Sequence, residues 1–351
     1  MKLYTRTRQV QEYFRRGAAR SRVVLLLLLL PTMPLRLHAQ QGLPLNLLQT
    51  IPLQGVEGRI DHFALDWPGK RIFMAGLGNG TVKVLDLNQG EQIHTIEGLK
   101  EPQGLAYVPD LKRLFVASRG DGSCKIYDGI TFRLTAKIDL GDDADNVRYD
   151  ARAGRIYVGY GAGALAVIDA ATGHHEADIK LAAHPESFQL EKNGNRIFAN
   201  VTDAREIAVI DRTKRAIVAQ WLFDGDRANF PMALDEAHHR LFVGCRKPAE
   251  MVVFDTSTGK VLERIPSVGD ADDLWYDAAR HLIYVSGGEG SITVIRQMDA
   301  DHYRLLAKIP TAVGARTSYL VPELGRLCVA VPHRGTQAAE LRIYQAEPVP
   351  H

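Results

Sequence analysis

The sequence contains little cysteine and few aromatic residues, and no segment is poor enough in apolar side chains to form a long disordered tail. The 351 residues include three cysteines and 7% aromatic residues, against 46% hydrophobic residues. Cys124, Cys245 and Cys328 are widely spaced and form no CxxC pair, so the pattern predicts three separate half-buried thiols rather than a disulfide framework. The composition is that of a globular protein.

Several familiar signatures are missing as well. The sequence contains no HExxH pair and no serine in a nucleophile elbow, which argues against a zincin protease and an α/β-hydrolase. It also has no basic stripe with interleaved aromatic residues, so we expect no nucleic-acid partner. No catalytic residue is assigned from these patterns.

The formal charge of +2 is misleading, because residues 1–39 hold eight of the 43 Lys and Arg residues and one of the 41 Asp and Glu residues. The remaining 312 residues carry 35 basic and 40 acidic side chains, a net charge of −5. The basic pI therefore belongs to the whole chain and gives no argument for binding a polyanion.

The first 39 residues have the order of a secretory signal. A basic stretch ending at Arg22 precedes the eight apolar residues 23–30, and Pro31 and Pro34 then lead to the small residue Ala39. Eight helical residues are too short for a hydrocarbon core of ~30 Å. We predict a signal peptide over 1–39, a single domain over 40–351 without a transmembrane span, and a periplasmic or secreted monomer. A retained N-terminal anchor is the alternative.

A repeat with a period near 42 residues dominates the rest of the chain. Its core is an Arg followed by Ile or Leu, an aromatic residue and a small apolar residue. The seven copies start at Arg71, Arg113, Arg155, Arg196, Arg240, Leu282 and Arg326. The last two copies are degenerate, with Leu in place of the Arg and Cys328 in place of the aromatic residue.

Each copy repeats further features at fixed offsets. An alternating strand follows the start of the repeat by about fifteen residues and ends in an acid in the first five copies, as in Val84-Leu85-Asp86; the last two copies keep the strand but lose the acid. A turn with Gly90, Gly173 or Gly259 comes next in three copies. Four short strands per repeat are typical of the blades of a β-propeller, as in WD40-like arrays. The runs are too short for the helices of a solenoid.

The ends of the chain predict how the ring closes. The last repeat stops after its third strand at Ile343-Tyr344, whereas residues 46–52 resemble the fourth strand of other repeats. We therefore expect an all-β, seven-bladed propeller with about 28 strands, in which the N-terminal strand completes the last blade.

The segment 155–173, which contains Arg155-Ile156-Tyr157-Val158-Gly159 and ends in Ala170-Ala171-Thr172-Gly173, resembles the YVTN repeat of exported bacterial propellers. The resemblance is to the YncE-like group of the YVTN/quinoprotein amine dehydrogenase β-chain-like superfamily and covers residues 45–346. It implies the seven-bladed fold. For function it implies less, since such propellers include binding scaffolds, surface proteins and a few enzymes.

Candidate functional residues lie where the repeats differ. The loop that enters each innermost strand opens at one mouth of the central channel, ten and nine positions before the repeat Arg. The pairs at these positions are Asp61-His62, Gln103-Gly104, Asp145-Asn146, Glu186-Ser187, Phe230-Pro231, Asp272-Asp273 and Arg316-Thr317. Four of the seven contain an acid, so we predict an acidic ring at the mouth.

Neighbouring loop residues extend this candidate site with Arg59, Glu101, Asp143, His184, Arg227, Asn229 and Asp270. The predicted ligand-binding set is Arg59, Asp61, His62, Asp145, Asn146, His184, Glu186, Arg227, Asn229, Asp272, Asp273 and Arg316. Loops between the second and third strands of the blades add Arg119 and Arg246 among other polar residues.

Three interpretations of the ring stay open at this stage. Its acids could be solvated and paired with Arg59, Arg148, Arg227 and Arg316. They could bind a small ligand, or they could hold a divalent cation, with oxygen ligands favouring calcium or magnesium and imidazole favouring zinc, manganese or iron.

Two function classes follow from these interpretations. The first is a noncatalytic binding or scaffold protein of the cell envelope, which uses the mouth face for a small ligand or a protein. The alternative is a metal-assisted hydrolase, lactonase or lyase, in which His62 or His184 moves protons. A redox role is less favoured, since the sequence gives no sign of haem or quinone.

Overall fold

A computed structural model describes residues 43–225 and 227–348, and for Arg227 it describes the backbone only. The predicted signal peptide over 1–39 lies outside the described residues and stays a prediction. The described chain folds into seven four-stranded antiparallel sheets and three short 3-10 turns, Leu77–Asn79, Arg119–Asp121 and Pro322–Leu324. No described helix is long and apolar enough to cross a membrane.

The 28 strands follow the predicted order. Strand β1 is Leu45–Pro52. Blade 1 is β2 (Phe63–Asp66), β3 (Arg71–Gly76), β4 (Thr81–Asp86) and β5 (Glu91–Ile96). Blade 2 is β6 (Pro102–Val108), β7 (Arg113–Ser118), β8 (Ser123–Asp128) and β9 (Leu134–Asp139). Blade 3 is β10 (Val147–Asp150), β11 (Arg155–Tyr160), β12 (Ala164–Asp169) and β13 (His175–Lys180).

The remaining blades repeat the arrangement. Blade 4 is β14 (Phe188–Leu190), β15 (Arg196–Val201), β16 (Glu206–Asp211) and β17 (Ala216–Leu222). Blade 5 is β18 (Arg227–Asp235), β19 (Arg240–Lys247), β20 (Ala249–Asp255) and β21 (Val261–Pro266). Blade 6 is β22 (Ala271–Asp277), β23 (Leu282–Gly287), β24 (Ser291–Gln297) and β25 (Tyr303–Pro310). Blade 7 is β26 (Ser318–Val321), β27 (Arg326–Val331) and β28 (Glu340–Ala346), and β1 adds its fourth strand.

The apolar residues of the repeat form the cores between neighbouring blades. Seven hydrophobic clusters each join two adjacent blades, including the pair of blades 7 and 1. The repeat aromatic is fully buried at Phe73, Phe115, Phe198 and Phe242. The three cysteines are also fully buried, rather than half-buried as expected, because they occupy strand positions that face these cores.

The polar residues of the repeat build its turns. In blades 1 to 5 the acid that ends the third strand accepts hydrogen bonds from the backbone N–H groups two and three positions ahead, as Asp169 does from Ala171 at 3.0 Å and Thr172 at 2.8 Å. Gly90, Gly173 and Gly259 then have φ near +70°, the predicted left-handed conformation. The repeat Arg pairs with acids at these turns, for example Arg155 with Asp169 at 3.0 Å.

Closure of the ring by the N-terminal strand is confirmed. β1 pairs antiparallel with β28, with Leu45 opposite Ala346 and Pro52 opposite Glu340. Leu45, 1% exposed, packs into the core between blades 6 and 7.

The substitution Leu45→Ala is expected to lower the free energy of unfolding by about 2–5 kcal/mol, because it removes a buried side chain from the closing strand. Leu48→Ala is the matched control, since Leu48 lies on the same strand with 52% exposure, and it should change stability by no more than about 0.5 kcal/mol. Urea denaturation measures both. Equal costs for the two variants would contradict the closure.

Candidate functional site

The residue pairs predicted at the channel mouth lie at irregular positions where each innermost strand begins. In blade 1 the Asp61 N–H donates to Ala75 O at 2.8 Å and the Ala75 N–H donates to His62 O at 3.0 Å. Asp61 and His62 therefore both lie opposite the single residue Ala75 of the neighbouring strand. Asp145-Asn146 faces Gly159 in the same way, and Glu186-Ser187 faces Asn200. The register also shifts at the corresponding point of blades 2, 5 and 6. These β-bulges direct the two members of a pair differently.

The first members of the pairs surround a cavity of about 240 Å³, which we call the mouth basin. It is lined by Arg59, Gln103, Arg119, Asp143, Asp145, His184, Glu186, Phe230, Arg246, Asp272 and Arg316. Six of these residues are first members. The second members His62 and Asp273 instead line a cavity in the central channel. Counting back from the repeat Arg therefore located the mouth residues correctly in space.

One half of the basin is built around Asp272. Its Oδ1 accepts from Arg246 Nη2 at 2.6 Å, and its Oδ2 lies 3.0 Å from Arg316 Nε and 3.5 Å from Arg59 Nη2. Arg316 also pairs with Asp270 at 2.9 Å. Arg59 pairs still more closely with Asp61, at 2.9 Å, so three guanidinium groups face three carboxylates in this half of the basin.

Phe230 holds one of these arginines in place. The guanidinium carbon of Arg246 lies 3.7 Å from the centre of the Phe230 ring, within cation–π range. Arg246 Nε donates to Ala271 O at 2.8 Å. With its plane stacked and its Nε bonded, the Arg246 side chain is rigid at the edge of the basin.

The opposite half of the basin is acidic. Burial raises the pKa of Glu186 to about 8, and the negative charge of Asp145 adds to the effect. Burial would also raise the pKa of Asp145, but His184, His62 and Arg59 hold it below its usual range. His184 Nε2 lies 3.9 Å from Asp145 Oδ2, and its Nδ1 bonds to Gly161 O at 2.8 Å. Asp145 is therefore the permanent anion of this half.

His62 lies between the mouth basin and the central channel. Its Nε2 is 3.4 Å from Asp61 Oδ1 and 3.9 Å from Asp145 Oδ1, while its Nδ1 is 3.7 Å from Asp273 Oδ1. Burial alone would lower the pKa of His62, but Asp61, Asp273 and Asp145 outweigh it and raise the pKa to about 10. The imidazolium neutralises part of a buried acidic cluster at neutral pH.

Several buried acceptors near the basin lack a well-directed hydrogen bond from the protein. They are both carboxylate oxygens of Asp61, Gln103 Oε1, Asp145 Oδ1 and Asn146 Oδ1. Buried polar atoms in folded proteins are nearly always satisfied by protein, water or ligand. An excess of acceptors therefore favours an occupant that supplies hydrogen-bond donors.

The structure does not bring every predicted site residue into the basin. Asn229 is buried and donates to Asn200 Oδ1 at 2.9 Å and to Glu206 O at 3.3 Å, so it connects blades 4 and 5. Asn146 is also buried and lines neither cavity. The side chain of Arg227 lies outside the described residues. Arg59, Asp145, His184, Glu186, Asp272 and Arg316 line the basin together.

The predicted ligand-binding set omitted Arg246 and Phe230, although the sequence placed Arg246 in a loop between the second and third strands and Phe230 in one of the residue pairs. Arg119 and Arg246 both follow their repeat Arg by six positions and both line the basin, so the shared offset was a usable signal. Phe230 is the first member of its residue pair, but it was not chosen for the predicted set because its side chain has no polar group.

A divalent cation does not fit this arrangement. Across residues 43–225 and 227–348, no three His, Cys, Asp or Glu side chains converge closely enough to hold a metal ion. The candidate ligands instead face cationic groups, Asp272 its three arginines and Asp145 the two histidines. The geometry supports ion pairs and a small-ligand cavity rather than a metal centre.

Comparison with known proteins agrees with the fold. No family model matches the chain. The uncharacterized protein YncE of Salmonella typhi and that of Salmonella typhimurium are each 25% identical to it over 154 residues, which is 43% of this chain and 42% of each relative. The alignment therefore spans well under two thirds of the relatives' length. The chain is a seven-bladed propeller that is similar in sequence to YncE over this segment.

Solved structures show the same architecture. A chain of hydrazine synthase from Kuenenia stuttgartiensis matches with a TM-score of 0.70 at 17% identity, covering 79% of this chain and 95% of that chain. A chain of the mitotic checkpoint complex matches with a TM-score of 0.73 at 12% identity, covering 93% and 98%. At these identities the likeness concerns the fold alone.

The pH dependence of stability should reveal the buried proton of Glu186. Its pKa is about 8 in the fold, against 4.5 for an unperturbed glutamate, so between these pH values the folded state holds a proton that the unfolded chain has released. Rising pH therefore destabilises the fold. Glu186→Gln should flatten this decline and be more stable than wild type at about pH 8, by on the order of 1 kcal/mol. Urea denaturation at several pH values measures this.

Glu91→Gln is the control, because Glu91 is exposed on β5, and its pH profile should follow that of wild type. A Glu186→Gln profile that also follows wild type would show that Glu186 is ionised in the fold.

Metal removal should leave the protein unchanged. Elemental analysis of protein purified without a chelator or a metal-binding tag should find less than one metal ion per chain, and EDTA should not shift Tm. A stoichiometric ion whose removal lowers Tm would contradict the ion-pair interpretation and support the metal-assisted hydrolase, with Asp145→Ala and Asp272→Ala as the variants to assay.

Proposed function

We propose that this protein is a noncatalytic binding protein whose mouth basin takes a small zwitterionic ligand. The observation that carries the proposal is the arrangement of polar groups around one basin, with Arg246 and Arg316 around Asp272 on one side and the ionised Asp145 beside Glu186 on the other. A carboxylate on the ligand would face the arginines, and its ammonium group would face the acids.

The size and polarity of the basin agree with such a ligand. Its volume of about 240 Å³ falls below the ~300–1,000 Å³ typical of sites for drug-sized molecules, so the ligand has roughly the size of an amino acid. The buried acceptors of Gln103 and Asp145 lack donors from the protein, and an ammonium group supplies three. Among the described lining residues the apolar surface comes from Phe230, which limits the ligand to a short carbon skeleton.

Binding is favoured over acid–base chemistry by the two histidines. The acids around them raise the pKa of His62 to about 10 and that of His184 to about 9. Both are therefore imidazolium at neutral pH, when a general base must be unprotonated. Their charge instead balances Asp61, Asp145 and Asp273.

The cellular setting belongs to the same proposal. The basic, apolar and small-residue order of residues 1–39 supports export, and we place the protein in the periplasm or outside the cell. We infer that it acts as a monomer that binds a small molecule or presents its mouth face to an envelope protein.

A matched ligand panel tests the binding site. Amino acids at about 10 mM should raise Tm by about 1–3 °C. The same skeletons without the amino group, or without the carboxylate, should give no shift, because each lacks one of the two charge contacts. Differential scanning fluorimetry measures the shifts.

Variants then locate the effect. Arg316→Met and Asp145→Asn should each weaken binding about tenfold or more, the usual cost of a lost charged hydrogen bond. Arg304→Met is the control, since Arg304 is exposed on β25. Binding that survives Arg316→Met, or no response to any amino acid, would refute the proposed ligand class.

A further inference from the structure

A second cavity, of about 260 Å³, lies in the central channel and is distinct from the mouth basin. The innermost strands of blades 1, 2, 3, 4, 6 and 7 all contribute to its wall. His62 and Asp273 form the end nearest the basin, and Leu65, Tyr107 and Tyr149 lie further along the innermost strands β2, β6 and β10. It is a separate compartment with its own lining.

One side of this channel cavity is aromatic. The rings of Trp275 and Tyr319 have centres 4.8 Å apart, and those of Phe63 and Tyr319 have centres 6.4 Å apart. Trp275 Nε1 donates to Ser318 O at 3.1 Å, which fixes the orientation of the indole. Such a rigid surface suits a flat apolar group.

The cavity also contains a guanidinium group without a carboxylate partner. Arg148 Nη1 donates to Val147 O at 2.9 Å, and Nη2 reaches Ser187 Oγ at 3.4 Å. Among the residues that the structure describes, no ion pair within 4.0 Å includes Arg148, in contrast to the pairing expected from sequence. Burial lowers the pKa of Arg148, against the opposing charge of Asp273, but a guanidinium stays protonated in proteins.

The other charges of the cavity are compensated. Asp273 Oδ2 accepts from the Ser318 N–H at 2.7 Å, and its Oδ1 faces His62 Nδ1 at 3.7 Å. His62 in turn shares its charge with Asp61 and Asp145. Among the described residues, Arg148 is therefore the cationic group of this cavity that has no carboxylate within 4.0 Å, and Asp273 acts on it only from a greater distance. An enclosed charge is stabilised when an opposite charge pairs with it.

We propose that the central channel binds a small monocarboxylate with a planar apolar body. The carboxylate pairs with Arg148, and the planar body lies against Trp275 and Tyr319. A guanidinium offers two parallel N–H groups that match a carboxylate, and the aromatic wall excludes a strongly hydrated inorganic anion as the preferred occupant. This inference is independent of the ligand proposed for the mouth basin.

Benzoate is the probe, with benzamide as its neutral analogue and sulfate at equal ionic strength as the inorganic anion. Benzoate at about 10 mM, above the ~1 mM Kd of a weak complex, should raise Tm and change the tryptophan fluorescence. Benzamide and sulfate should do neither.

Variants separate the channel from the basin. Arg148→Met should remove both effects of benzoate, and Arg316→Met, which changes only the basin, should keep both. Trp275→Phe should keep the Tm shift and lose most of the fluorescence change, because Trp275 is the one of the three tryptophans that lines the channel.

Crystals of the wild-type protein soaked in 4-bromobenzoate give a test that does not depend on the folding of a variant. The anomalous peak of bromine should lie in the channel beside Trp275. The proposal is overturned if bromine binds elsewhere, if sulfate stabilises the protein as benzoate does, or if the benzoate effects persist in Arg148→Met.

Discussion

The antiparallel pairing of β1 with β28 is the contact on which the rest of the molecule depends. It joins residues 45–52 to residues 340–346, close to the two ends of the described chain, and so completes the four-stranded sheet of blade 7. An open array of blades would leave two unpaired faces and no common axis. With the ring closed, the seven innermost strands begin around one channel, and side chains from distant repeats meet there.

The bulges at these strand starts convert the common axis into two compartments. At each bulge two residues of the innermost strand lie opposite one residue of the neighbouring strand, so the two members of a pair are directed differently. Asp145 and Asp272 line the mouth basin, whereas His62 and Asp273 line the channel. His62 lies at the boundary, and its imidazolium charge is shared by acids on both sides. The acids of this buried cluster pair with His62, His184 and Arg59, and over residues 43–225 and 227–348 none of them lies within 4.0 Å of Arg148.

The periodic part of the structure could be predicted because each blade is built from local chemistry. The repeat aromatic packs between neighbouring sheets, and acids such as Asp169 close the outer turns through bonds to residues two and three positions ahead. The counted offset also found the mouth positions. It could not show that Asn229 bonds to Asn200 instead of lining the basin, or that Arg246 stacks on Phe230. Both contacts depend on the distance between side chains on different strands, which spacing along the sequence does not give.

The sequence by itself determined the number of blades, their four strands, the closing strand and the residue pairs at the mouth, since each of these follows from spacing within a repeat. Tertiary structure alone decided how the charges pair. Asp272 pairs with arginines from three other blades. Over residues 43–225 and 227–348, no three His, Cys, Asp or Glu side chains are close enough together to hold a metal ion. Over the same residues, Arg148 forms no ion pair. Pairing depends on distances of a few ångströms between side chains far apart in sequence, and no single repeat encodes them.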